Sequence, residues 1–256
     1  MEWLRELSRW SHMIVGFTGL IAFWFPIVAR KGGRLHRVAG KVFVVCGYWV
    51  TASAGLSCVL IAGMLARDGV LAEKLDTVGA LVFLSYLAWV TFVMLRYSVG
   101  VLTTKSDPTQ LATPQFRFLA VSALAASVGL IAFGALVPTR WSLLCFLLSP
   151  IGLGVGVPML RYMSGRVGGP RAWFFEHMSA TIGAGIAFHT AFAVFGLGRL
   201  VELPTSGWLS VLPWLLPTAL GSPALIAWKR HYERKFDRPR RRPGTVDAGT
   251  VAPARG

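Results

Sequence analysis

Seven apolar stretches, each about as long as a bilayer is thick, constrain this chain more than any other feature. A helix needs about 20 apolar residues to cross a membrane. Hydrophobic residues make up 54% of the 256 residues and charged residues only 14%, against about 25% charged in a soluble domain. The sequence predicts an all-α, polytopic membrane helix bundle of about seven transmembrane helices. The predicted spans lie at roughly 11–29, 42–65, 78–102, 118–137, 142–163, 173–198 and 208–228.

Two segments flank the predicted bundle, which as a domain covers residues 1–228. Residues 1–10 alternate apolar and charged side chains at helical spacing, which predicts a short interfacial helix. Residues 229–256 begin basic and end rich in Gly, Pro and Ala, a composition typical of a disordered tail. A basic cluster directly after a span also predicts contact with anionic lipid.

The basic residues predict the orientation of the bundle. Seven spans place the two termini on opposite sides, and 20 of the 26 Lys and Arg residues then fall on the side of the C-terminus. Cytoplasmic loops of membrane proteins carry such an excess. We therefore expect the N-terminus outside, the C-terminus in the cytoplasm, and the protein in the plasma (inner) membrane of a bacterium.

The net charge of +15 belongs to this same topology signal. In a soluble protein it would suggest nucleic acid, but in a membrane protein it indicates membrane lipids and anionic headgroups as partners, so no nucleic-acid partner is predicted. Cys46, Cys58 and Cys145 all lie in apolar runs without metal-ligand spacing, and are interpreted as small core residues.

Four histidines are the candidate cofactor-binding residues. His12 and His189 are predicted near the outer face, and His36 and His177 near the inner face. Two histidine pairs at opposite depths are the arrangement of membrane cytochromes that bind two haem b groups, in which neutral imidazoles ligate iron axially. The alternative is that these histidines hydrogen-bond across helices. His189 follows His177 by 12 positions, so the two side chains lie about 120° apart around a helix. This separation is unfavourable for two haem ligands on one helix.

The loop RKGGRLHRVAGK at 30–41 is a candidate anion-binding site. Its glycines permit a tight turn with positive φ, and the turn leads into a helix start where backbone N–H groups are free. The alternative is a basic cytoplasmic loop that only sets topology. The candidate anion-binding residues are Lys31, Gly32, Gly33, Arg34 and Arg37.

The run SPIGLGVGVP at 149–158 places three glycines and two prolines inside one predicted span. This composition predicts a kinked or partly unwound helix, which membrane proteins tolerate only against protein or a watery cavity. Simple helix bending is the alternative.

Two motifs resemble an uncharacterised family of bacterial integral membrane proteins, a domain of unknown function. One is KGGRLHRVAGK at 31–41 after a first span with His12 and Gly16, and the other is WFFEHMSATIGAGIAFHTAF at 173–192. The resemblance implies a location in the membrane but no activity. It implies the following candidate residues: His12, Gly16, Lys31, Gly32, Gly33, His36, Arg37, Gly40, Trp173, His177, Ile186, Ala187, Thr190, Ala191 and Phe192.

Three functions remain open from the sequence. The first is a membrane redox protein that binds haem or exchanges electrons with a quinone or a redox partner. The second is a transporter or lipid-handling protein that binds an anionic headgroup or substrate at the 30–41 loop. The third is a structural or regulatory subunit without catalysis.

Overall fold

The described part of the chain is helical, with no strand. The structure is a computed structural model and describes residues 2–167, 169, 171–196 and 208–237. Within these residues the helices are α1 (Glu2–Val28), α2 (Arg34–Arg67), α3 (Leu75–Gly100), α4 (Pro114–Leu136), α5 (Ser142–Leu148), α6 (Pro150–Met163), α7 (Ala172–Ala191) and α8 (Leu212–Asp237). Short 3-10 turns cover Pro108–Leu111 and Trp208–Val211, and a π-turn at Phe192–Gly196 extends α7.

Seven segments of the described chain are long and apolar enough to cross a membrane, which confirms the predicted membrane helix bundle. α5 and α6 together form the fifth of these spans, and α7 with its π-turn forms the sixth. All three cysteines are buried and free, in agreement with their interpretation as core residues. α3 is the central helix and the most buried span, because it packs against α2, α4, α5, α6 and α7.

The N-terminal segment is not a separate interfacial helix. Residues 2–10 continue directly into the first span, so α1 runs for 27 residues, or about 40 Å. No Gly or Pro precedes Gly16 to interrupt it, and Arg9 pairs with Glu6 at 2.8 Å along its exposed face. Helix-favouring side chains and this pair maintain the helix beyond the apolar stretch.

The tail also differs from the sequence prediction over its first residues. Residues 229–237 are helical and belong to α8, while 238–256 lie outside the described residues. The extension packs on the start of α7, because Phe174 contacts the rings of Tyr232 and Phe236 at 5.0 and 5.3 Å between centroids. The Arg171 guanidinium lies 4.1 Å from the centre of the Phe236 ring. These tertiary contacts stabilise a helix that composition alone does not predict.

The fifth span, whose glycines and prolines predicted a kinked or partly unwound helix, is interrupted at Ser149 in its hydrogen bonds, while Ser149 keeps helical dihedral angles of φ −56° and ψ −33°. Pro150 has no N–H to donate, and the Tyr86 side chain of α3 occupies the break. Its hydroxyl donates to the Ser149 carbonyl at 2.7 Å and accepts from the Gly152 N–H at 2.9 Å. The buried hydroxyl thus replaces helix hydrogen bonds that the break removes.

Loop contacts define the two ends of the bundle. At one end, Arg140 N–H in the 137–141 loop donates to the Asp76 carboxylate at the start of α3. At the other end, Lys105 lies over the ring of Trp173, and Arg171 contacts the C-terminal turn of α8. We call this second end the basic end. It consists of the loops 29–33, 101–113 and 164–171 and the last turns of α8.

Candidate functional site

The basic end contains two ionisable side chains that are adjacent in sequence at the start of α7. Glu176 and His177 are both partly buried, and each is bonded to α3. Tyr97 Oη donates to Glu176 Oε2 at 2.8 Å, and His177 Nδ1 lies 2.7 Å from the Ser98 carbonyl oxygen. Neighbouring residues of α7 therefore attach to neighbouring residues of α3, and α7 is fixed in register against the central helix.

The Ser98 contact determines which ring nitrogen of His177 has the proton. A carbonyl oxygen only accepts, so Nδ1–H must donate to it. In the neutral imidazole, Nε2 is then unprotonated and has a free lone pair. A backbone carbonyl holding Nδ1–H is also the arrangement that orients metal-ligating histidines through Nε2. His177 is therefore prepared to accept a hydrogen bond or to ligate a metal.

His36 has the same arrangement in the first turn of α2. Its Nδ1 lies 3.2 Å from the Pro26 carbonyl oxygen near the end of α1. The Nδ1–H therefore donates, and Nε2 is again the unprotonated nitrogen in the neutral ring. Two imidazoles at the basic end, on different helices, thus have Nε2 open to a ligand.

Electrostatic interactions join these side chains into one cluster. His177 lies within electrostatic range of His36 and of Lys105, and Glu176 within range of Lys229 on α8. His36 and His177 do not hydrogen-bond to each other, because each binds a different carbonyl. The structure therefore brings the predicted inner pair to the same end, and a ligand that both contact stays a prediction. We call Tyr97, Thr104, Tyr162, Glu176 and His177, with His36 beside them, the inner cluster.

Buried hydroxyl groups in the inner cluster have unused hydrogen-bonding capacity. Tyr162 is completely buried and Thr104 is 9% exposed, and their hydroxyls interact with each other and with no third polar group in the described residues. One O–H of this pair is left to donate, and the Tyr162 ring packs edge-on against Tyr97 at 6.1 Å. Thr181, one helical turn beyond His177, also has an unpaired buried hydroxyl. Leaving a buried polar group unpaired costs about 1–3 kcal/mol, so a bound group there would be stabilised.

The structure does not place the predicted outer pair at one depth. His189 bonds to Trp24, two residues before Pro26 on α1, whereas His12 lies 12 residues, about 18 Å, from Trp24 toward the other end of that helix. His189 Nδ1–H donates to the Gly185 carbonyl at 2.7 Å, and its Nε2 accepts from Trp24 Nε1–H at 3.1 Å. Both nitrogens of His189 are therefore occupied. His12 Nδ1 contacts Ser53 Oγ at 2.8 Å, and that hydroxyl donates onward to the Trp49 carbonyl. His12 and His189 thus bind separate partners on different helices.

Two cations of the predicted anion loop donate to backbone carbonyls of this protein. Lys31 Nζ donates to the Pro26 and Ile27 carbonyls at 2.7 and 2.8 Å, and so caps α1. Burial lowers the pKa of this ammonium group. Arg37 donates to the Gly32 carbonyl at 3.1 Å, and Gly32 has the predicted positive φ of 75°. Arg34, the first residue of α2, is exposed, and neither salt bridge in the described chain involves the loop.

The glycines of the fifth span serve helix packing. A Cβ on Gly152 or Gly156 would lie 2.7 Å from the carbonyl oxygens of Ala123 or Ala120 on α4. The two helices therefore approach closely at these positions, as small residues permit in membranes. Two apolar grooves of about 300 and 340 Å³ open elsewhere, between α3 and α4 and between α1 and α2.

Sequence reasoning missed Tyr97, Thr104, Tyr162, Lys105 and Lys229 as neighbours of the histidines. Glu176 is the acidic residue that lies closest to the interior of a predicted span, and it provides the main signal. An ionisable group at such a depth is by default a functional candidate whose partner should be sought. The hydroxyl groups have no comparable signal, because Tyr and Thr are common in membrane helices.

Comparison with known proteins does not assign this chain to a family. The chain matches no protein-family model, no curated protein and no solved structure. Within the described residues, no group of three or more His, Cys, Asp or Glu side chains is placed to hold a metal ion. The fold and the contacts of the inner cluster therefore stand as the basis for a functional proposal.

Proposed function

We propose that this chain is a membrane redox protein that binds a quinone headgroup at the inner cluster. The observation that supports it is the set of groups with free hydrogen-bonding capacity beside Glu176 and His177: the Tyr162–Thr104 hydroxyl pair, which has one O–H left to donate, and His177 Nε2 as acceptor. A quinone carbonyl accepts hydrogen bonds, and the corresponding hydroquinone hydroxyl donates one. The cluster therefore offers partners for both forms of the ring.

Proton exchange is the chemistry that the side chains themselves supply. A quinone takes up two electrons and two protons to become a hydroquinone. His177 Nε2 and the Glu176 carboxylate are groups that accept and release protons, and Tyr97 Oη contacts that carboxylate. Lys105 and Lys229 lie at the rim, toward the aqueous side of the basic end. Protons would enter from that side, and electrons from a redox partner or a haem.

Haem is the second form of the redox proposal, favoured by the matched geometry of His36 and His177. Each has Nδ1–H held by a backbone carbonyl and Nε2 open, as axial ligands require. His189 would have to give up the Trp24 hydrogen bond to ligate iron. We therefore expect at most one haem b, at the basic end.

Quinone binding is tested on the purified full-length protein in detergent. Calorimetric titration with a short-chain ubiquinone or menaquinone should show binding that His177→Gln weakens about tenfold, the equivalent of one hydrogen bond of ~1.4 kcal/mol. His231→Gln is the matched control, because His231 is exposed on α8. Equal affinity in both variants, or no binding of either quinone to the wild type, would contradict the quinone form.

An absorption spectrum tests the haem form. A Soret band that is lost in both His36→Ala and His177→Ala but kept in His189→Ala would support one inner haem. A band lost in His12→Ala and His189→Ala instead would assign the haem to that pair and disprove the inner assignment. With neither a Soret band nor quinone binding, the redox proposal as a whole is wrong.

We propose that the basic end faces the cytoplasm of a bacterium, since its loops belong to the side on which the sequence places 20 of the 26 Lys and Arg residues. A single cysteine in place of Arg140 should react with an impermeant thiol reagent added to intact cells, after periplasmic access is allowed. A cysteine in place of Lys229 should react only after lysis. Reaction at 229 in intact cells would reverse the orientation.

A further inference from the structure

The groove between α1 and α2 reaches the basic end at the same place as the basic loop. The groove has a volume of about 340 Å³ and opens outward, toward lipid. Ala22 and Ala39 form its floor, and both are buried. Its walls consist of larger and exposed side chains: Thr18, Ile21, Phe25, Leu35, Val38 and Val42.

The floor explains why a groove exists at this seam. α1 and α2 pack along their length, and α1 also contacts α7. The side chains of Ala22 and Ala39 end at Cβ, whereas their neighbours in the groove lining are larger. The two alanines therefore leave a depression between these larger side chains. The lining is almost entirely apolar. Such a groove matches a flexible hydrocarbon chain rather than a polar ligand.

Positive charge lies directly at the basic-end mouth of this groove. Arg34 is four residues before Val38, so the two side chains lie on the same face of α2. Arg34 is exposed and Arg30 is exposed beside it, whereas Lys31 and Arg37 are bonded to backbone carbonyls. The loop 29–41 contains no acidic residue. The exposed cations of this stretch that are not bonded to backbone are therefore Arg30, Arg34 and Lys41, of which Arg34 and Arg30 lie at the mouth and Lys41 lies two turns into α2.

We propose that one anionic phospholipid, of the phosphatidylglycerol class, binds here from the leaflet at the basic end. One acyl chain lies in the α1–α2 groove, and the phosphate contacts the Arg34 guanidinium, which presents donors in a geometry that suits phosphate. The charge at the mouth complements an anionic headgroup, and the apolar groove continues from it in the direction of the chains. This site is separate from the inner cluster, so it does not depend on the redox proposal.

Native mass spectrometry of the full-length protein measures this binding. The detergent-solubilised protein is titrated with phosphatidylglycerol and, separately, with phosphatidylcholine of the same chains. We expect the wild type to retain phosphatidylglycerol preferentially. Arg34→Gln should weaken that lipid about fivefold, which corresponds to the ~1 kcal/mol of one basic residue near an anionic headgroup, and bring it close to phosphatidylcholine.

Arg37→Gln is the matched control, because it removes the same charge from the same loop at a side chain already bonded to Gly32. It should change phosphatidylglycerol retention much less than Arg34→Gln. Equal losses in both variants would show a diffuse charge effect and overturn the site. Equal retention of the two lipids by the wild type would overturn it as well.

A second pair of variants tests the groove. Ala39→Leu fills the floor and should weaken both lipids, whereas Ala52→Leu on an exposed position of the same helix should weaken neither. If Ala39→Leu fails to fold, Val38→Ala removes a wall from an exposed position and should likewise weaken retention. Unchanged lipid retention in the folded groove variant, or displacement of the lipid by excess glycerol phosphate, would disprove chain binding in the groove.

Discussion

The two partly buried histidines of α7 are bonded differently. His189, about three helical turns beyond His177, has both ring nitrogens bonded, one to its own helix and one to Trp24. His177 has one bonded nitrogen, and the Tyr162–Thr104 hydroxyl pair lies among its neighbours with one O–H left to donate. Unpaired buried groups also occur at Tyr48 and Trp141, so it is their position beside an open histidine nitrogen that points to a bound group.

The surroundings of the two histidines also differ. Beside His189, Phe23 lies against Gly185 and contacts the His189 and Phe43 rings, each at 5.3 Å between centroids. Beside His177 lie the Glu176 carboxylate, held by Tyr97, and the buried hydroxyl of Thr181 one helical turn further on. A histidine alone therefore does not mark a site, whereas a histidine with an open nitrogen among unpaired groups does.

The largest expected effect on stability is in the packing beside His189. Gly185→Ala places a methyl group against the Phe23 ring, which other aromatic rings hold in place. We expect the free energy of unfolding in mixed micelles to fall by about 3 kcal/mol. Gly154→Ala on α6 is the control, because nothing lies within 4 Å of its added Cβ. If Gly185→Ala is as stable as this control, the packing of Phe23 against α7 is looser than described.

Tyr86 is the contrasting case of a buried hydroxyl that both donates and accepts hydrogen bonds. Tyr86→Phe leaves the Ser149 carbonyl and the Gly152 N–H without their partner at the break between α5 and α6. We expect a loss of about 2 kcal/mol in the free energy of unfolding. Hydrogen exchange at Gly152 should rise with it. Unchanged exchange and stability would mean that the helix closes its own hydrogen bonds when the hydroxyl is absent.

Trp24→Phe tests the partner of His189 directly. The change keeps an aromatic ring but removes the Nε1–H that donates to His189 Nε2. We expect a loss of about 1 kcal/mol, because Trp24 is 52% exposed to the lipid side and the ring is largely retained. A double-mutant cycle with His189→Ala should give a coupling of similar size. Coupling near zero would remove the distinction between the two histidines.

Tyr162→Phe should have the smallest effect on stability. Its hydroxyl interacts only with that of Thr104 among the described residues, so removing it should lower the free energy of unfolding by less than about 1 kcal/mol. Quinone binding should nevertheless weaken, because a donor of the inner cluster is lost. A clear loss of stability without any ligand would show that the hydroxyl is already satisfied, and would weaken the case for a site there.

The sequence by itself determined the membrane bundle. Seven apolar stretches leave few alternatives, because backbone polar groups in lipid must be bonded within a helix. It also predicted the break in the fifth span from Pro150 and its glycines, and the positive φ of Gly32. The composition of residues 1–10 correctly indicated a helix but not its continuity with the first span, and that of residues 229–237 did not predict the helix found there, because helices extend beyond apolar segments wherever side-chain contacts support them.

Tertiary structure alone decided which histidines are open. The sequence grouped His36 with His177 and His12 with His189 by depth, but depth does not show which nitrogen is bonded. That depends on Ser98 and Trp24, distant in sequence and brought into contact only by helix packing. The neighbours of the Tyr162 hydroxyl have the same origin, since they are set only when α3, α6 and α7 pack together and bury it.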